Sequence, residues 1–113
     1  MSRSLVMRPT GSSHELRCLF YLIVCLRVNN PGDVQPVREL LATLVAGVRG
    51  EPGLERFVVY QSESVSGVFL LNEHWRSRDD WETHRHGRMC KEIYEPLVLP
   101  LVTRTPHIST LVE

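Results

Sequence analysis

The residues of this chain best suited to chemistry lie in one stretch, from Val68 to Tyr94. There an apolar segment ending in Trp75 leads through a short charged turn into a segment that carries histidines. Histidine exchanges a proton near neutral pH, so His84 could deprotonate a bound phenol or enol. Ligands tend to lie at strand ends, where apolar groups meet a few polar ones. This stretch is therefore the first candidate for a functional site.

Glu73 and Trp75 are predicted to share one face of a strand with Phe69 and Leu71, because strand side chains alternate. A carboxylate on an otherwise apolar face needs a partner if it is buried, since an unpaired buried charge is costly. Two interpretations stay open. Glu73 and Trp75 belong to a site, or Glu73 lies at the solvated end of the strand and Trp75 fills the core.

His84 follows Trp75 by nine residues, which is close enough for both to line one cavity between a sheet and a helix. The run THRHGR around it is polar, which by itself favours a solvated histidine on a helix surface for His84, and favours it still more for His86. The histidines His74, His84 and His86 do not indicate a metal site. An i,i+2 spacing does not place two helical side chains on one face, and no carboxylate completes a ligand pattern.

Met89 and Tyr94 follow on the same helical region. Such residues are usually core, but a pocket for a flat aromatic molecule is built from the same types. The sequence contains neither GxGxxG nor a P-loop, and it has no GxSxG. An enzyme built on these residues is expected to work without a nucleotide.

The composition predicts one globular domain. The chain has 113 residues, of which 42% are hydrophobic and 23% charged, and its 13 basic residues balance 13 acidic ones. No basic run suggests nucleic acid or an anionic membrane as a partner. The longest apolar run is too short to span a membrane, and we expect no signal peptide. Three cysteines without a CxxC pair argue against disulfides and favour a reducing compartment, so the expected location is the cytoplasm.

Periodicity and turn residues predict six elements after a flexible tail of residues 1–15. These are a strand over Leu16–Val28, a helix from Asp33 to Gly50, a hairpin of Leu54–Glu63 and Gly67–Trp75, a helix from about Arg78 that Gly87 interrupts before Met89–Leu99, and a strand over Thr103–Val112. The order βαββαβ is that of the ferredoxin-like α+β fold, a four-stranded antiparallel sheet with its helices on one face.

The first strand is apolar on both of its faces. Phe20, Leu22 and Val24 alternate with Tyr21 and Ile23, so both sides require cover. The helices can cover only one of them. A second copy of the chain is the simplest source of cover for the other, which predicts a homodimer.

The segment FLLNEHWRSRDDWETH, with Glu73, Trp75 and His84, resembles the antibiotic biosynthesis monooxygenase family, and the element order from residue 16 to residue 113 agrees. The resemblance implies a dimeric α+β barrel with a pocket between each sheet and its own helices. It implies catalytic roles for these three residues, with His84 as base, Glu73 orienting neighbouring groups and Trp75 packing on the substrate ring. The residues expected to contact the substrate are Phe20, Leu71, Met89 and Tyr94.

The family's members include quinol and anthrone monooxygenases that need no metal or flavin, haem-degrading enzymes and an isomerase of a phosphorylated sugar. Anthrone oxygenases have an Asn at the position of Leu71, the haem-degrading members have a ligating His at the position of Tyr94, and quinol and isomerase members often have a second His near Met89. The closest pattern is that of the quinol-monooxygenase-like and isomerase-like members.

The leading hypothesis is a monooxygenase without cofactor or metal that acts with molecular oxygen on a small electron-rich aromatic or quinol. An isomerase on the same scaffold is the first alternative, and Arg85, Arg88 and Lys91 are then the clustered cations for an anionic substrate, unless they form only a solvated helix face. A non-catalytic dimeric module that binds a ligand is the second, because fold alone does not establish activity.

Overall fold

The computed structural model describes residues 19–113. Its elements are β1 (Phe20–Val28), a 3-10 turn (Pro31–Asp33), α1 (Val34–Val48), β2 (Leu54–Gln61), β3 (Val68–Trp75), α2 (Arg78–Arg85), a π-helix (Cys90–Val98), a 3-10 turn (Leu99–Leu101) and β4 (Val102–Ser109). The predicted tail of residues 1–15 and the first residues of the predicted Leu16–Val28 strand lie outside the described residues. Within those residues, no helix is long and apolar enough to cross a membrane.

The four strands form one antiparallel sheet in the order β2-β3-β1-β4. The predicted ferredoxin-like α+β fold is therefore confirmed. Strand β1 is central, and its Leu22 lies opposite Glu73 of β3 on one side and Ile108 of β4 on the other. Strand β4 ends at Ser109 rather than at the predicted Val112, because its pairing with β1 ends there, opposite Tyr21.

The core lies between the helices and one face of the sheet. Its buried strand residues alternate and its buried helix residues recur every three or four positions, as the sequence pattern predicts. They include Phe20, Leu22, Val24, Leu26 and Val28 of β1, Val37, Leu41, Leu44 and Val48 of α1, and Phe69, Leu71 and Trp75 of β3. Each fully buried Val, Leu or Phe side chain stabilises the folded state by about 1.5–3 kcal/mol relative to an exposed one. The opposite face of β1, with Tyr21, Ile23 and Cys25, is only half-buried in the single chain.

Two local features mark the start and the end of α2, which lies on the core side of the sheet. Ser77 caps α2, because its Oγ accepts a hydrogen bond of 3.1 Å from the Asp80 N–H. After Arg85 the chain turns at Gly87, whose N–H donates to the His84 carbonyl at 2.9 Å. The next helical residues, 88–101, therefore form a segment separate from α2.

Most of that segment is a π-helix (Cys90–Val98); the sequence predicts a helical stretch over Met89–Leu99 and does not indicate its wider turns. The Leu99 N–H donates to the carbonyl of Tyr94, five residues earlier, as a π-helix requires. Pro96 explains the difference, because proline lacks an N–H and its ring would clash with the carbonyl four residues back in an α-helix. The π-helix, with its wider turns, places Cys90 and Tyr94 over the sheet.

A test of the turn before β2 compares Gly53→Ala with Gly50→Ala. Both glycines have positive φ, 79° and 85°, so alanine at either position should cost about 1–2 kcal/mol. A Cβ on Gly50 would meet open space, whereas one on Gly53 would overlap the Asp80 carboxylate. We expect urea unfolding to show a larger loss in the free energy of unfolding for Gly53→Ala than for Gly50→Ala. Equal losses would mean that Asp80 moves aside freely.

Candidate active site

A cavity of about 370 Å³ lies between the sheet, α2 and the π-helix. This volume is at the lower end of the range of small-molecule sites, roughly 300–1,000 Å³, and suits a molecule of one or a few rings. Its apolar walls are Leu22, Trp81, Leu99, Pro106 and Ile108. Its polar lining residues are Glu73, His84, Arg85, Cys90, Tyr94, Glu95 and Arg104.

His84 is buried at the inner side of α2, with only 7% of its surface exposed. Its Nδ1 lies 2.7 Å from Oε1 of Glu51, which belongs to the turn after α1. A carboxylate accepts hydrogen bonds, so we assign the imidazole proton to Nδ1 and the free lone pair to Nε2. Nε2 lies 3.4 Å from the Cys90 sulfur. The interpretation of His84 as a solvated surface histidine is therefore wrong, because α2 turns it inward.

The surroundings of His84 favour its neutral form. Burial lowers the pKa of the imidazole, and the hydrogen bond and charge of Glu51 oppose that effect in part. A neutral imidazole whose Nδ1 proton is held by a carboxylate has its other nitrogen available to accept a proton. His84 is thus equipped to act as a general base toward a molecule in the cavity.

Glu73 is the second buried ionisable group of the cavity, 5% exposed. Its Oε1 accepts a hydrogen bond of 3.0 Å from Nε1 of Trp75. Burial raises the pKa of Glu73 to about 7, against the lowering effects of the Trp75 hydrogen bond and the Arg104 charge. Among residues 19–113 the other carboxyl oxygen has no hydrogen-bond partner. Glu73 therefore exchanges a proton near neutral pH, on the same side of the sheet as His84.

Trp75 holds these two groups in place. Its indole is fully buried, donates to Glu73 and packs on the His84 ring with centroids 4.6 Å apart at 32°. It does not line the cavity, and the indole that does is Trp81, which stacks on Phe20 at 5.0 Å. The predicted packing of Trp75 on a substrate ring stays a prediction.

Of the four residues predicted to contact a substrate, Tyr94 lines the cavity, and its hydroxyl accepts a hydrogen bond of 3.0 Å from Arg104 Nε. The other three lie outside its lining. Phe20 is behind Trp81, Leu71 is 1% exposed in the core, and Met89 packs against Gly47 of α1. The structure thus brings His84, Glu73 and Tyr94 together around one space, while Trp75 contacts the first two from outside the lining.

The remaining histidines lie elsewhere. His74 is on the open face of the sheet, where its ring meets Tyr21 edge to face at 4.7 Å, and His86 is exposed beside Glu82. Within residues 19–113, no group of three or more His, Cys, Asp or Glu side chains is arranged to hold a metal ion.

The sequence pattern did not identify Glu51, Trp81, Cys90 and Arg104 as site residues. Glu51 is 33 residues from His84, in a turn with no motif of its own, so nothing in the sequence links the two. Cys90 and Tyr94 differ by four positions, and this spacing could have indicated a shared helix face.

The titration of Glu73 predicts how stability depends on pH. Folded Glu73 keeps its proton up to about pH 7, whereas a solvated glutamate loses it near 4.5, so between these values the folded state binds more protons. Its contribution to the free energy of unfolding must then fall as pH rises through this window, by on the order of 3 kcal/mol. Glu73→Gln, which still accepts from Trp75, should remove that fall.

The measurement is urea unfolding of the native protein and Glu73→Gln at about pH 5 and about pH 8. We expect the variant to gain stability relative to the native protein at the higher pH. The lowered pKa of His84 acts in the opposite sense below neutrality, so the two proteins are compared at the same pH. A constant difference between them would show that Glu73 does not titrate in this window.

Comparison with known proteins places the chain among related sequences and folds. The model of the family described as antibiotic biosynthesis monooxygenase matches residues 20–96. A conserved protein from Methanosarcina mazei is similar with a TM-score of 0.77 at 20% identity, covering 86% of this chain and 96% of that one. A candidate antibiotic biosynthesis monooxygenase from Caulobacter crescentus is similar with a TM-score of 0.76 at 19% identity, covering 91% of this chain and 98% of that one.

SnoaB, a cofactor-independent oxygenase from Streptomyces nogalater, has a TM-score of 0.69 at 14% identity, covering 84% of this chain and 94% of that one. These identities are low, so the similar structures establish the fold only. No protein with a curated description matches the chain.

Proposed function

Because the chain belongs to the antibiotic biosynthesis monooxygenase family, we propose that it is a monooxygenase without cofactor that acts on a small electron-rich aromatic or quinol. The observation that carries the proposal is the pairing of His84 with Glu51 at one wall of a cavity that also has apolar walls. A substrate that becomes electron-rich on losing a proton needs such a base and a dry, oriented site.

In the proposed reaction, the substrate hydroxyl or acidic C–H replaces the Cys90 thiol as the donor to His84 Nε2. A thiol is only a weak hydrogen-bond donor, so its displacement from His84 Nε2 costs little free energy. Proton transfer leaves an imidazolium whose Nδ1–H is held by Glu51. The substrate anion passes one electron to molecular oxygen, and the resulting radical pair combines to a peroxide anion. That anion takes the proton back from the His84 imidazolium and becomes a hydroperoxide.

The hydroperoxide then breaks down to a carbonyl. Neutral His84 accepts the remaining proton of the carbon that bears the peroxide, the O–O bond breaks, and one oxygen atom stays in the product as C=O. The other oxygen leaves as water after accepting a proton. Glu73, whose pKa is raised to about 7 by burial, can supply that proton near neutral pH. One group with a lowered pKa and one with a raised pKa thus divide the acid and base roles.

The test is oxygen uptake by metal-free protein with a panel of hydroquinones and anthrones, followed by mass analysis of the product after reaction under isotopically labelled oxygen. Uptake with one labelled atom in the product supports monooxygenation. Uptake without label would indicate simple oxidation, and no uptake across the panel would count against the proposal.

A second candidate is an isomerase of an anionic substrate. Arg85 and Arg104 both line the cavity, so it offers two cations. Arg88 and Lys91, the other predicted cations, lie on the helix surface, paired with Glu92 and Glu95. An isomerase needs the same acid and base but no oxygen, so turnover that is equal under nitrogen and under air would favour it. If neither activity is found, a non-catalytic module that binds a ligand is the remaining proposal.

We also propose that the chain acts as a homodimer through the open face of the sheet. Tyr60 and Leu70, which are paired across β2 and β3 on this face, are 49% and 39% exposed. Asn72 on the same face has a buried Oδ1 without a hydrogen-bond partner among the described residues. An apolar face with an unsatisfied acceptor fits an interface in which a partner supplies cover and a donor.

Replacing Tyr60 and Leu70 together by Asp should give monomers, because a dimer would bury both carboxylates in an apolar contact. Sedimentation at several concentrations measures this. Leu97→Asp is the matched control, since Leu97 is 44% exposed but lies on the π-helix, away from the open face. A native protein that sediments as a monomer would contradict the proposal.

For the location of the reaction we propose the cytoplasm. Cys25 and Cys90 are free thiols, which fits a reducing compartment.

A further inference from the structure

Cys90 is a buried thiol that the proposed oxygenation does not use. It opens the π-helix, lines the cavity and is 5% exposed. Its sulfur lies 3.4 Å from His84 Nε2, and the Nδ1 of the same ring lies 2.7 Å from the Glu51 carboxylate. Thiol, imidazole and carboxylate thus stand in a row, with the thiol at the end that faces the cavity. This is the arrangement in which a histidine activates a nucleophile.

The same cavity contains a group that can polarise an electrophile. Glu73 is 5% exposed, and one of its carboxyl oxygens has no partner among the described residues. A protonated carboxyl group in that position donates a hydrogen bond to a carbonyl oxygen. The apolar walls formed by Leu22, Trp81 and Ile108 suit a flat molecule that carries such a carbonyl.

We propose that Cys90 is a nucleophilic site for conjugated carbonyl compounds, quinones in particular, that bind in this cavity. The choice of electrophile rests on the proposed function, because quinones are the oxidised form of the proposed substrates. Quinones formed by the proposed reaction would accordingly alkylate Cys90. The adduct would occupy the space beside the His84 base and block further substrate binding.

The addition needs no oxidant or reductant. His84 Nε2 accepts the thiol proton while the sulfur forms a bond to the ring carbon β to the carbonyl. The C=C electron pair moves toward the carbonyl, and its oxygen takes a proton from Glu73. Loss of the ring C–H proton to Glu73 and transfer of the proton from His84 to the second oxygen restore the aromatic ring. The product is a hydroquinone thioether whose mass is that of the protein plus one quinone.

The resting thiol is protected from reagents that do not bind in the cavity. Burial, together with the charges of Glu73, Glu51 and Glu95, raises the pKa of Cys90 to about 12, so the thiolate is scarce. Reaction then requires an electrophile held against the sulfur and a base that takes the proton during attack. Cys25, on the half-buried open face of the sheet, has no such base beside it among residues 19–113 and serves as the internal comparison.

The experiment incubates the full-length protein under nitrogen with less than one equivalent of naphthoquinone and maps the adduct by peptide mass analysis. We expect one added quinone on Cys90, none there in Cys90→Ser, and a rate about a hundredfold lower in His84→Gln. If His84→Gln fails to fold, Glu51→Gln, which weakens the same base, is used in its place. Iodoacetamide is the control reagent, because its reaction with a thiol does not depend on binding in the cavity. Cys90 should react with it slowly.

Two results would overturn the inference: adducts on Cys18 or Cys25 with Cys90 unmodified, or modification of Cys90 at the same rate in His84→Gln. Because the quinone is added ready-made and oxygen is absent, the outcome does not depend on turnover. A protein that is alkylated at Cys90 but consumes no oxygen with any hydroquinone keeps this inference and loses the proposed function. A protein that consumes oxygen with a hydroquinone but is not alkylated at Cys90 keeps the proposed function and loses this inference.

Discussion

Replacement of His84 by alanine should lower the rate of oxygen uptake by about 100- to 10,000-fold, the usual contribution of a general base. The buried imidazole is the only neutral base that the described residues place in the cavity with a free nitrogen toward it. Without it the substrate keeps its proton, and a neutral phenol gives up an electron to oxygen far less readily than its anion. The loss should appear in kcat, because substrate binding rests on the apolar walls.

His86→Ala is the matched control for this variant, because His86 lies two residues further along, exposed beside Glu82. It should consume oxygen at the native rate. The pH profile gives a second readout. Burial lowers the pKa of His84, so activity of the native protein should persist below its ordinary value of 6.5 and fall only in more acidic solution. Unchanged uptake in His84→Ala, with native circular dichroism, would rule His84 out as the base.

The fold follows from short-range patterns, which explains why the sequence predicts it. Alternation places Glu73 and Trp75 on one face of β3, and helical spacing directs Val37, Leu41 and Leu44 to the core. Both features depend only on neighbours along the chain. The ferredoxin-like order then follows, because four strands and two helical regions in this sequence have few ways to pack.

The partners within the site depend instead on contacts between distant segments. The polar run around His84 suggests exposure, and only the packing of α2 against β3 buries the imidazole beside Glu51. The two indoles have the same ambiguity. Trp75 and Trp81 are six residues apart, yet the strand buries one completely while the helix turns the other to the cavity wall. Such differences are set by tertiary packing, which residue spacing does not encode.

Trp75→Ala should destabilise the fold by about 3–5 kcal/mol, as removal of a fully buried aromatic ring usually does. The indole is 0% exposed and belongs to the main core cluster. Its loss also deprives Glu73 of its hydrogen-bond donor and His84 of a packed face. Guanidinium unfolding measures the change, which amounts to a large part of the stability of a domain of this size.

Trp75→Phe separates the volume of the indole from its hydrogen bond. Phenylalanine fills much of the space but leaves Glu73 without its donor, so we expect an intermediate loss of about 1–3 kcal/mol. That loss should grow with pH, because the carboxylate needs the donor more than the neutral acid does. Trp81→Ala is the control for removal of an indole, and since Trp81 is only half-buried it should cost less than Trp75→Ala. Equal losses in the two alanine variants would mean that Trp75 has no special place in the core, and its support of Glu73 and His84 would have to be abandoned.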